Sequence, residues 1–490
     1  SPYSRGLGYV DKRQPSPFQV TDMAFHPVYG VLVNPRGQTP IYGNRNLPQT
    51  PEMSGYRNGS WTSYGVVRRN PAQANVLYNP TGLAIDPDSP EYVYMGSPRH
   101  GMLRVNLEDP EDILHMSGPN DPGKSLPGYV EAFPVMQAWP SVTSTLGAKF
   151  DADGNLWSYS FDLDRPGNDG MTALCWTPEA RRASKDAASF QPWIRLHVPG
   201  VAASGSSRLL PLTHPNNRNL LLFAINTLKD RFVVLDHNGT PDDPSDDRMA
   251  LVSEMRDHTG GVISNLTEHT RCMYEDPATG MVWIGTDLGP YMFNPRTMFV
   301  DPTRARRVLA TDPATGTQSL LLDGLAINNI YSDTQGRKWF ATMHDGLYCT
   351  STDGSEILAH FTTDNSPIPA DNVLTVCENI ASGSMMVATA GGLSEFIPAL
   401  TAGRPARTVA ALPAAITPSY RGLVTIEGLI DGEEYFITDS AGEVVRRLGR
   451  PAAGCLQWDG HDDSGLPVPT GHYNVAGASG HALSSVRVLR

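Results

Sequence analysis

Hydrophobic and polar residues alternate in short runs along most of the first 400 residues, and turns that contain Gly interrupt the runs. Such alternation is typical of half-buried strands, and Asp- or Asn-rich Gly turns close hairpins between them. One order recurs: an alternating strand, an acidic residue, a Gly turn, then Gly-x-x-Trp on a second strand. Three segments carry it in full: LGAKFDADGNLWSYS with Gly154 and Trp157, TRCMYEDPATGMVWIGT with Gly280 and Trp283, and INNIYSDTQGRKWFAT with Gly336 and Trp339.

Less regular copies extend the repeat. VLTVCENIASGSMMVAT places Met386 three residues after Gly383, where the Trp would be. Together with the three full copies, the segments that keep the rhythm give seven units. The remaining units are Thr81–Val105, Ser207–Asp236 and Val20–Gly37, the last of which leads to an outer strand in Asn58–Gly65.

A single four-stranded sheet cannot bury both of its faces, so radial stacking of such sheets is the natural solution. The repeat therefore predicts a seven-bladed β-propeller over residues 1–400. We expect residues 1–18 to close the ring with the last blade, and Arg407–Leu412 is the alternative closing strand.

The pattern changes after residue 400. Residues 401–420 are rich in Ala, Pro and Thr and indicate a linker. Residues 421–490 return to short alternating strands separated by turns, which predicts a small β-sandwich. The expected fold class is therefore all-β.

Composition agrees with a β-rich chain, because 46 Gly and 41 Pro punctuate strands and disfavour helices. The net charge of −13 argues against nucleic acid as a partner, although solubility alone would also explain it. No apolar run reaches the roughly 18 residues of a transmembrane helix. The five cysteines are far apart and lack C-x-x-C spacing, so we expect core thiols rather than disulfides or zinc ligands.

The turns between the second and third strands of each blade are the candidate binding face. Propeller geometry collects these turns around the central channel, and loops on rigid scaffolds commonly carry binding residues. A solvated turn remains the alternative for each residue taken singly. An anionic glycan would contact Arg99, Arg165, Lys229 and His344. The full candidate set is Arg99, His100, Arg165, Lys229, Asp287, His344 and Asp345.

An acidic loop, DHNGTPDDPSDD, gathers five carboxylates and one Asn in residues 236–247. Calcium prefers clustered oxygen ligands, but the spacing is not that of an EF-hand. A calcium-bound loop and a solvated turn are both consistent with this pattern, and no other pattern requires a cofactor. The candidate ligands are Asp236, Asn238, Asp242, Asp243 and Asp247.

Catalysis has little support in the sequence. Asp287 and Asp345 belong to one predicted face, and paired carboxylates serve glycosidases. However, no nucleophile-elbow, zinc-protease or Cys–His pattern is present. Gly118–Ser125 matches the phosphate-loop spacing, but its prolines prevent the helix that must follow. We therefore predict a non-catalytic binding protein, with a carbohydrate-active lyase or glycosidase as an alternative.

Two parts of this sequence each resemble a known protein family. The best repeats resemble the two-component-regulator propeller repeat (Reg_prop), and Trp283-Ile284-Gly285-Thr286 matches its consensus directly. Trp458–Gly465, followed by Gly471-His472-Tyr473, resembles the FlgD-type immunoglobulin-like fold and the C-terminal domains of type IX secretion cargo. The second resemblance implies an immunoglobulin-like sandwich in which the Trp packs the core and the Asp and Gly residues shape a tight turn.

The order of the two modules resembles the PorZ-type component of the type IX secretion attachment complex of Bacteroidetes. That resemblance implies partners in a secretion complex or on the cell surface, and contact with anionic lipopolysaccharide. It also implies a periplasmic or outer-membrane location, reached through a signal peptide that this chain lacks. The family has two propellers, whereas this chain has one, a departure that truncation would explain. A glycan-binding periplasmic sensor propeller of a two-component system is the alternative, although this chain contains no transmembrane helix or kinase.

Overall fold

The computed structural model is an all-β chain of short antiparallel strands with little helix. In the described residues, the helical segments are α1 (Pro178–Ala183) and the two 3-10 turns Pro215–Asn217 and Pro295–Phe299. The described residues are 4–9, 20–35, 52–57, 59–65, 81–97, 100–109, 112–121, 124, 128–133, 145–161, 170–199, 208–225, 231–252, 255–256, 260–263, 270–301, 303, 305–311, 316, 318–398, 409–413, 415–418, 420, 422–427, 429, 434–439, 443–451, 455–477 and 482–490.

Seven sheets of three to five strands follow one another in the described residues between Ser4 and Pro398. Each is built on an antiparallel meander, and we call them blades 1 to 7 in chain order. The chain starts with β1 (Ser4–Tyr9). Blade 1 contains β2 (Val20–His26), β3 (Gly30–Pro35), β4 (Glu52–Arg57) and β5 (Ser60–Gly65); blade 2 contains β6 (Thr81–Ile85), β7 (Tyr92–Ser97), β8 (Gly101–Asn106), β9 (Ile113–Ser117) and β10 (Tyr129–Glu131); blade 3 contains β11 (Leu146–Phe150), β12 (Leu156–Phe161), β13 (Gly170–Trp176) and β14 (Ile194–Pro199).

The later blades repeat the meander, with two small hairpins inserted between them. Blade 4 contains β15 (Arg208–Pro211), β16 (Leu220–Ile225), β17 (Arg231–Asp236) and β18 (Arg248–Val252), and is followed by β19 (Met255–Arg256) and β20 (Val262–Ile263); blade 5 contains β21 (Thr270–Glu275), β22 (Val282–Thr286) and β23 (Gly289–Phe293), and is followed by β24 (Leu309–Thr311) and β25 (Gln318–Leu320); blade 6 contains β26 (Ile327–Ser332), β27 (Lys338–Thr342), β28 (Leu347–Thr350) and β29 (Ile357–Phe361); blade 7 contains β30 (Val373–Asn379), β31 (Ser384–Thr389) and β32 (Gly392–Pro398).

The first strands of the blades contact one another in a closed cycle, from β2 through β6, β11, β15, β21, β26 and β30 back to β2. Seven described sheets form this cycle, and the sequence repeat predicts the same number. Strand β1 completes blade 7 from the N-terminal side, because Ser4 pairs with Pro398 and Arg5 with Ile397 in antiparallel register. Residues 4–9, within the segment 1–18, thus supply the closing strand, as expected.

The repeated Trp residues fill the space between neighbouring blades. Trp157 and Trp339 are fully buried, and each lies in an apolar cluster shared with the next blade. The indole N–H of Trp157 donates to Asp151 at 2.7 Å, and that of Trp339 donates to Asp333 at 2.9 Å. The acidic residue of the repeat therefore satisfies the polar atom of the side chain that packs the blades together.

In blades that depart from the consensus, the acidic residue of the repeat has a different hydrogen-bond partner. In blade 2, the Tyr94 hydroxyl donates to Asp86 at 3.0 Å. In blade 5, Asp276 instead accepts from the buried Lys338 Nζ of blade 6 at 3.1 Å. Among the described residues, the buried indole nitrogen of Trp283 then has no hydrogen-bond partner, and the Lys338 ammonium lies 5.6 Å from its ring centroid.

The C-terminal strands form two sheets that share one apolar core. Trp458 lies in this core, 5.6 Å from the Tyr473 ring, and donates its indole N–H to the His461 carbonyl at 2.9 Å. Asp462 accepts from two backbone amides of the following turn, as the resemblance implies. One sheet contains β33 (Ala410–Leu412), β35 (Val424–Glu427) and β38 (Leu456–Trp458), and the other contains β34 (Ala415–Ile416), β40 (Ala482–Val488), β39 (Gly471–Gly477), β36 (Tyr435–Thr438) and β37 (Val444–Gly449).

Two strands of this sandwich arise within the segment expected to be a linker. Strand β33 pairs with β35, and β34 pairs with β40, so residues 410–416 belong to the sandwich sheets. The sandwich also contacts the propeller, because the Gln457 side-chain amide donates to the Pro27 carbonyl at 3.3 Å. Pro27 lies in the turn between β2 and β3, so the sandwich contacts the ring face that carries the turns between first and second strands.

Replacing Trp339 with Phe should cost more stability than replacing Trp283 with Phe. W339F removes a buried hydrogen bond to Asp333 as well as volume, whereas the Trp283 indole nitrogen has no partner to lose. We expect the free energy of unfolding to fall by about 3 kcal/mol for W339F and by about 1.5 kcal/mol for W283F. Urea denaturation followed by circular dichroism measures both; equal losses would contradict the role assigned to Asp333.

Candidate functional site

The candidate face carries the turns between the second and third strands. The predicted contacts Arg99, Arg165 and Lys229 lie outside the described residues. The structure does describe His100, Asp287, His344 and Asp345, and it gives these four residues different environments.

His100 is a buried residue of blade 2 rather than an exposed contact, since only 5% of it is accessible. Its Nδ1 lies 3.1 Å from the Asp121 carboxylate, which also accepts from the Ser117 hydroxyl at 2.8 Å. The His115 ring nitrogen lies 2.9 Å from the His100 carbonyl. The expectation that His100 contacts a ligand therefore disagrees with its burial, and its ring joins the loop of Asp121 to the blade.

Asp345 shapes the turn that exposes His344 in blade 6. The Asp345 carboxylate accepts from the Tyr348 hydroxyl at 2.6 Å, and the His360 Nε2 lies 2.7 Å from the Asp345 carbonyl. The Tyr348 and His360 rings stack with their centroids 3.9 Å apart. His344 is exposed at the tip of this fixed turn, so it remains the candidate contact while Asp345 holds the backbone.

Asp287 belongs to a row of hydrogen bonds that crosses three blades. It pairs with Arg271 Nη1 at 2.9 Å, and Arg271 also donates through Nε and Nη2 to Asn328 Oδ1 at 3.0 and 2.7 Å. The Asn328 amide in turn donates to Asn372 Oδ1 at 3.2 Å and to the Val373 carbonyl at 2.7 Å. Arg271, Asn328 and Asn372 therefore connect the inner strands of blades 5, 6 and 7, and we call them the polar row.

A β-bulge places each of two members of the polar row, Arg271 and Asn328. The strand register shifts at Arg271, between Thr270 and Cys272, and again at Asn328 in the next blade. The inner strands of blades 1, 2, 3 and 7 shift near the same end. A bulge inserts an extra residue and redirects a side chain, and bulges are common beside functional sites.

The strand pattern of the sequence does not single out the polar row, because its members resemble ordinary strand residues. The signal was nevertheless present: Arg271 stands five residues before Asp276, and Asn328 stands five residues before Asp333. Aligning the repeats on their acidic residue brings the two polar side chains to one position of the inner strand.

A second polar pair lies between the inner strands of blades 1 and 3. The Lys149 ammonium lies 3.3 Å from the Asp22 carboxylate, which also accepts from the Leu83 amide at 3.2 Å. The Lys149 side chain is 45% exposed. At Gly147 the space that a side chain would occupy is open, which leaves room on this part of the inner surface.

The polar row is suited to polar or anionic ligands. The side chains of Arg271 and Asp287 are 32% and 37% exposed, so solvent or a ligand can reach this ion pair. Guanidinium groups bind carboxylate and phosphate oxygens with paired hydrogen bonds, and side-chain amides bind hydroxyl groups. The arrangement supports binding, whereas the two carboxylates proposed for catalysis, Asp287 and Asp345, are each engaged within this face.

The acidic loop uses much of its hydrogen-bonding capacity internally. Asp236 pairs with Arg296 at 3.0 Å, Asn238 donates to Asp246 at 2.9 Å, and Asp243 accepts from the Ser245 amide and hydroxyl at 3.0 and 2.6 Å. Burial and the neighbouring Asp246, Asp243 and Asp236 raise the pKa of Asp247 to about 6. Nowhere in the described chain do three His, Cys, Asp or Glu side chains form a group suited to a metal ion. The loop includes Asp242, and calcium binding there stays a prediction.

Known proteins match this chain in structure but not in sequence. No protein-family model and no curated protein matches this sequence. The structure of PorZ, a bacterial surface component of the type IX secretion system of Porphyromonas gingivalis, has 21% identity and a TM-score of 0.59, covering 97% of this chain and 60% of that chain. The extracellular domain assigned to hybrid two-component system BT3049 of B. thetaiotaomicron has 12% identity and a TM-score of 0.46, covering 97% of this chain and 53% of that chain.

Isolated propellers are also similar. The Cps50 (Swd1) β-propeller of Myceliophteria thermophila has 10% identity and a TM-score of 0.45, covering 78% of this chain and 98% of that chain. The likeness to PorZ confirms the propeller fold, and this chain spans about 60% of the PorZ chain that it matches. Within the described residues, no helix has the length and apolarity needed to span a membrane.

Calcium addition distinguishes a metal-binding acidic loop from a solvated turn. If the loop binds calcium, the wild-type chain should gain about 2.7 kcal/mol at a concentration 100 times the dissociation constant, and D243N should lose most of this gain. The matched control is D353N, because Asp353 accepts from the Ser355 amide and hydroxyl at 3.0 and 2.7 Å in the same way. A wild-type unfolding midpoint that calcium leaves unchanged would identify the loop as a solvated turn.

Proposed function

We propose that this chain is a non-catalytic propeller protein of the bacterial cell envelope, and a PorZ-like component of a type IX secretion attachment complex. The observation that carries the proposal is the likeness to PorZ along 97% of this chain, which includes both the propeller and the sandwich. The Trp458–Gly465 turn adds support, because it packs the sandwich core as the secretion-cargo resemblance implies.

The proposed binding surface is the ring face that carries the polar row. The sandwich contacts the opposite face through Gln457 and Pro27, so it leaves the turns between second and third strands uncovered in the described part of the chain. On this surface Arg271 and His344 would contact an anionic lipopolysaccharide or a partner protein. Arg99, Arg165 and Lys229 belong to the same predicted surface.

A non-catalytic role agrees with the carboxylates of this face. Asp287 is held by Arg271, and Asp345 is held by Tyr348 within its own turn. A glycosidase needs one carboxylic acid that donates a proton and a second carboxylate that attacks or activates water.

A glycan-binding sensor propeller is the second candidate, and the polar row is the observation that favours it. Side-chain amides beside a guanidinium are a suitable arrangement for sugar hydroxyl and acidic groups. The two candidates differ in what they require: a secretion component needs stable protein partners, whereas a sensor needs a glycan and a downstream kinase.

Recovery of partners from the cell envelope tests the secretion role. We expect tagged full-length protein, crosslinked in living cells and purified from the envelope fraction, to bring down the secretion sortase or its attachment partners. A tagged periplasmic protein of similar acidity is the control. Crosslinked preparations that contain the bait but no secretion component would contradict the proposal, and a co-purified histidine kinase would favour the sensor.

Binding of anionic lipopolysaccharide tests the ligand surface. We expect R271A and H344A each to weaken binding by about tenfold or more, because each removes a hydrogen-bonding group from the face. R182A is the matched control, since Arg182 is an exposed arginine on α1, outside the turns of this face. Surface plasmon resonance on immobilised lipopolysaccharide measures the affinities. Equal losses in R271A and R182A would show that general charge, rather than this site, drives binding.

A further inference from the structure

The contact between propeller and sandwich brings two acidic side chains close to each other. Gln457 on β38 donates to Pro27 of blade 1. Glu427 ends β35, beside β38 in the same sheet, and Cys455 immediately precedes β38. Glu378, at the end of β30 in blade 7, lies close enough to act electrostatically on both Glu427 and Cys455. The interface therefore joins two carboxyl groups, one from each part of the protein.

Glu378 is buried on the propeller side, with 4% of its surface accessible. Its carboxylate accepts from the Thr334 amide at 2.7 Å and from the Thr334 hydroxyl at 3.0 Å. Asp333 adds a like charge and Arg337 an opposing one, while burial is the main influence and raises the pKa of Glu378. Tyr331 also faces this carboxyl.

Glu427 is less well compensated on the sandwich side. Its Oε1 is buried and has no hydrogen-bond partner in the described part of the chain. Burial, followed by the charge of Glu378, raises the pKa of Glu427 to about 7. An ionised carboxylate that is buried without a donor is costly, whereas a protonated carboxyl avoids most of that cost.

We propose that the sandwich docks on the propeller more tightly when Glu427 is protonated, so that the contact weakens as the pH rises towards and through neutrality. Glu427 is the group that responds, and Glu378 is the neighbouring charge that opposes its ionisation. This device is independent of the function proposed above, because it rests only on the contact between two parts of the same chain.

The sign follows from the two states of Glu427. Burial and the charge of Glu378 raise the pKa of Glu427 to about 7 in the docked chain. Separation removes the Glu378 charge and the part of the burial that the propeller supplies, so the pKa falls towards its ordinary value of 4.5. Docking is therefore strongest below pH 4.5 and weakens as the pH rises through 7, after which no further loss occurs. A full return to 4.5 corresponds to a fall of about tenfold in the docking equilibrium constant between pH 6 and pH 8, and this is the largest effect expected.

Cys455 provides a probe at this interface, because it is 7% exposed and lies beside both carboxyl groups. The measurement is its alkylation rate by iodoacetamide in the denatured full chain divided by the rate in the native full chain at the same pH. Peptide mass spectrometry separates Cys455 from the other four free cysteines. We expect the protection of Cys455 to fall severalfold from pH 6 to pH 8, and by no more than about tenfold.

The variant E427Q should keep the protection of Cys455 high and nearly constant across this range. The matched control E443Q removes an exposed carboxylate of the same sandwich and should behave like wild type. Cys175, buried in blade 3, reports on general opening of the protein. Constant wild-type protection, a parallel fall at Cys175, or identical behaviour of E427Q and E443Q would each overturn the proposal. An increase in the maximum dimension by X-ray scattering between pH 6 and pH 8, absent in E427Q, is the second expected result.

Discussion

The fold depends on the requirement that every sheet bury two apolar faces with only its neighbours to cover them. A row of sheets would leave one face bare at each end, and only a closed cycle removes both ends. The contact from β30 back to β2 meets this requirement. Every other feature of the propeller is arranged around the cycle: the inner strands meet at the channel, and the turns collect on two opposite faces.

The Trp side chains give this closed packing its specificity. An indole is large enough to fill the wedge between two diverging sheets, but its N–H must be satisfied once it is buried. The repeat places an acidic residue where Asp151 and Asp333 reach that N–H. Blade 5 shows what happens when the acidic residue has another partner, since Asp276 pairs with Lys338 and the Trp283 nitrogen stays unpaired. The repeat is therefore a packing rule with tolerated exceptions.

The fold could be predicted from the sequence because strand alternation, Gly turns and Trp spacing are local signals. The candidate site could be predicted only in part. Turn residues such as His344 and Asp287 stand out in a sequence, whereas Arg271 and Asn328 matter because a one-residue bulge turns them towards each other across two blades. The burial of His100 depends on Asp121, which follows it by 21 residues and belongs to another loop. Such pairings are set by tertiary packing, which periodicity does not encode.

Strand β1 pairs with the last blade although nearly 400 residues separate the two in the chain. Contacts of such long separation form late, because the intervening chain must first become compact. At synthesis rates of about 5–20 residues per second, the closing partner emerges roughly 20–80 s after β1. Until then the growing polypeptide carries an unpaired edge, so the ring must assemble after translation of the last blade.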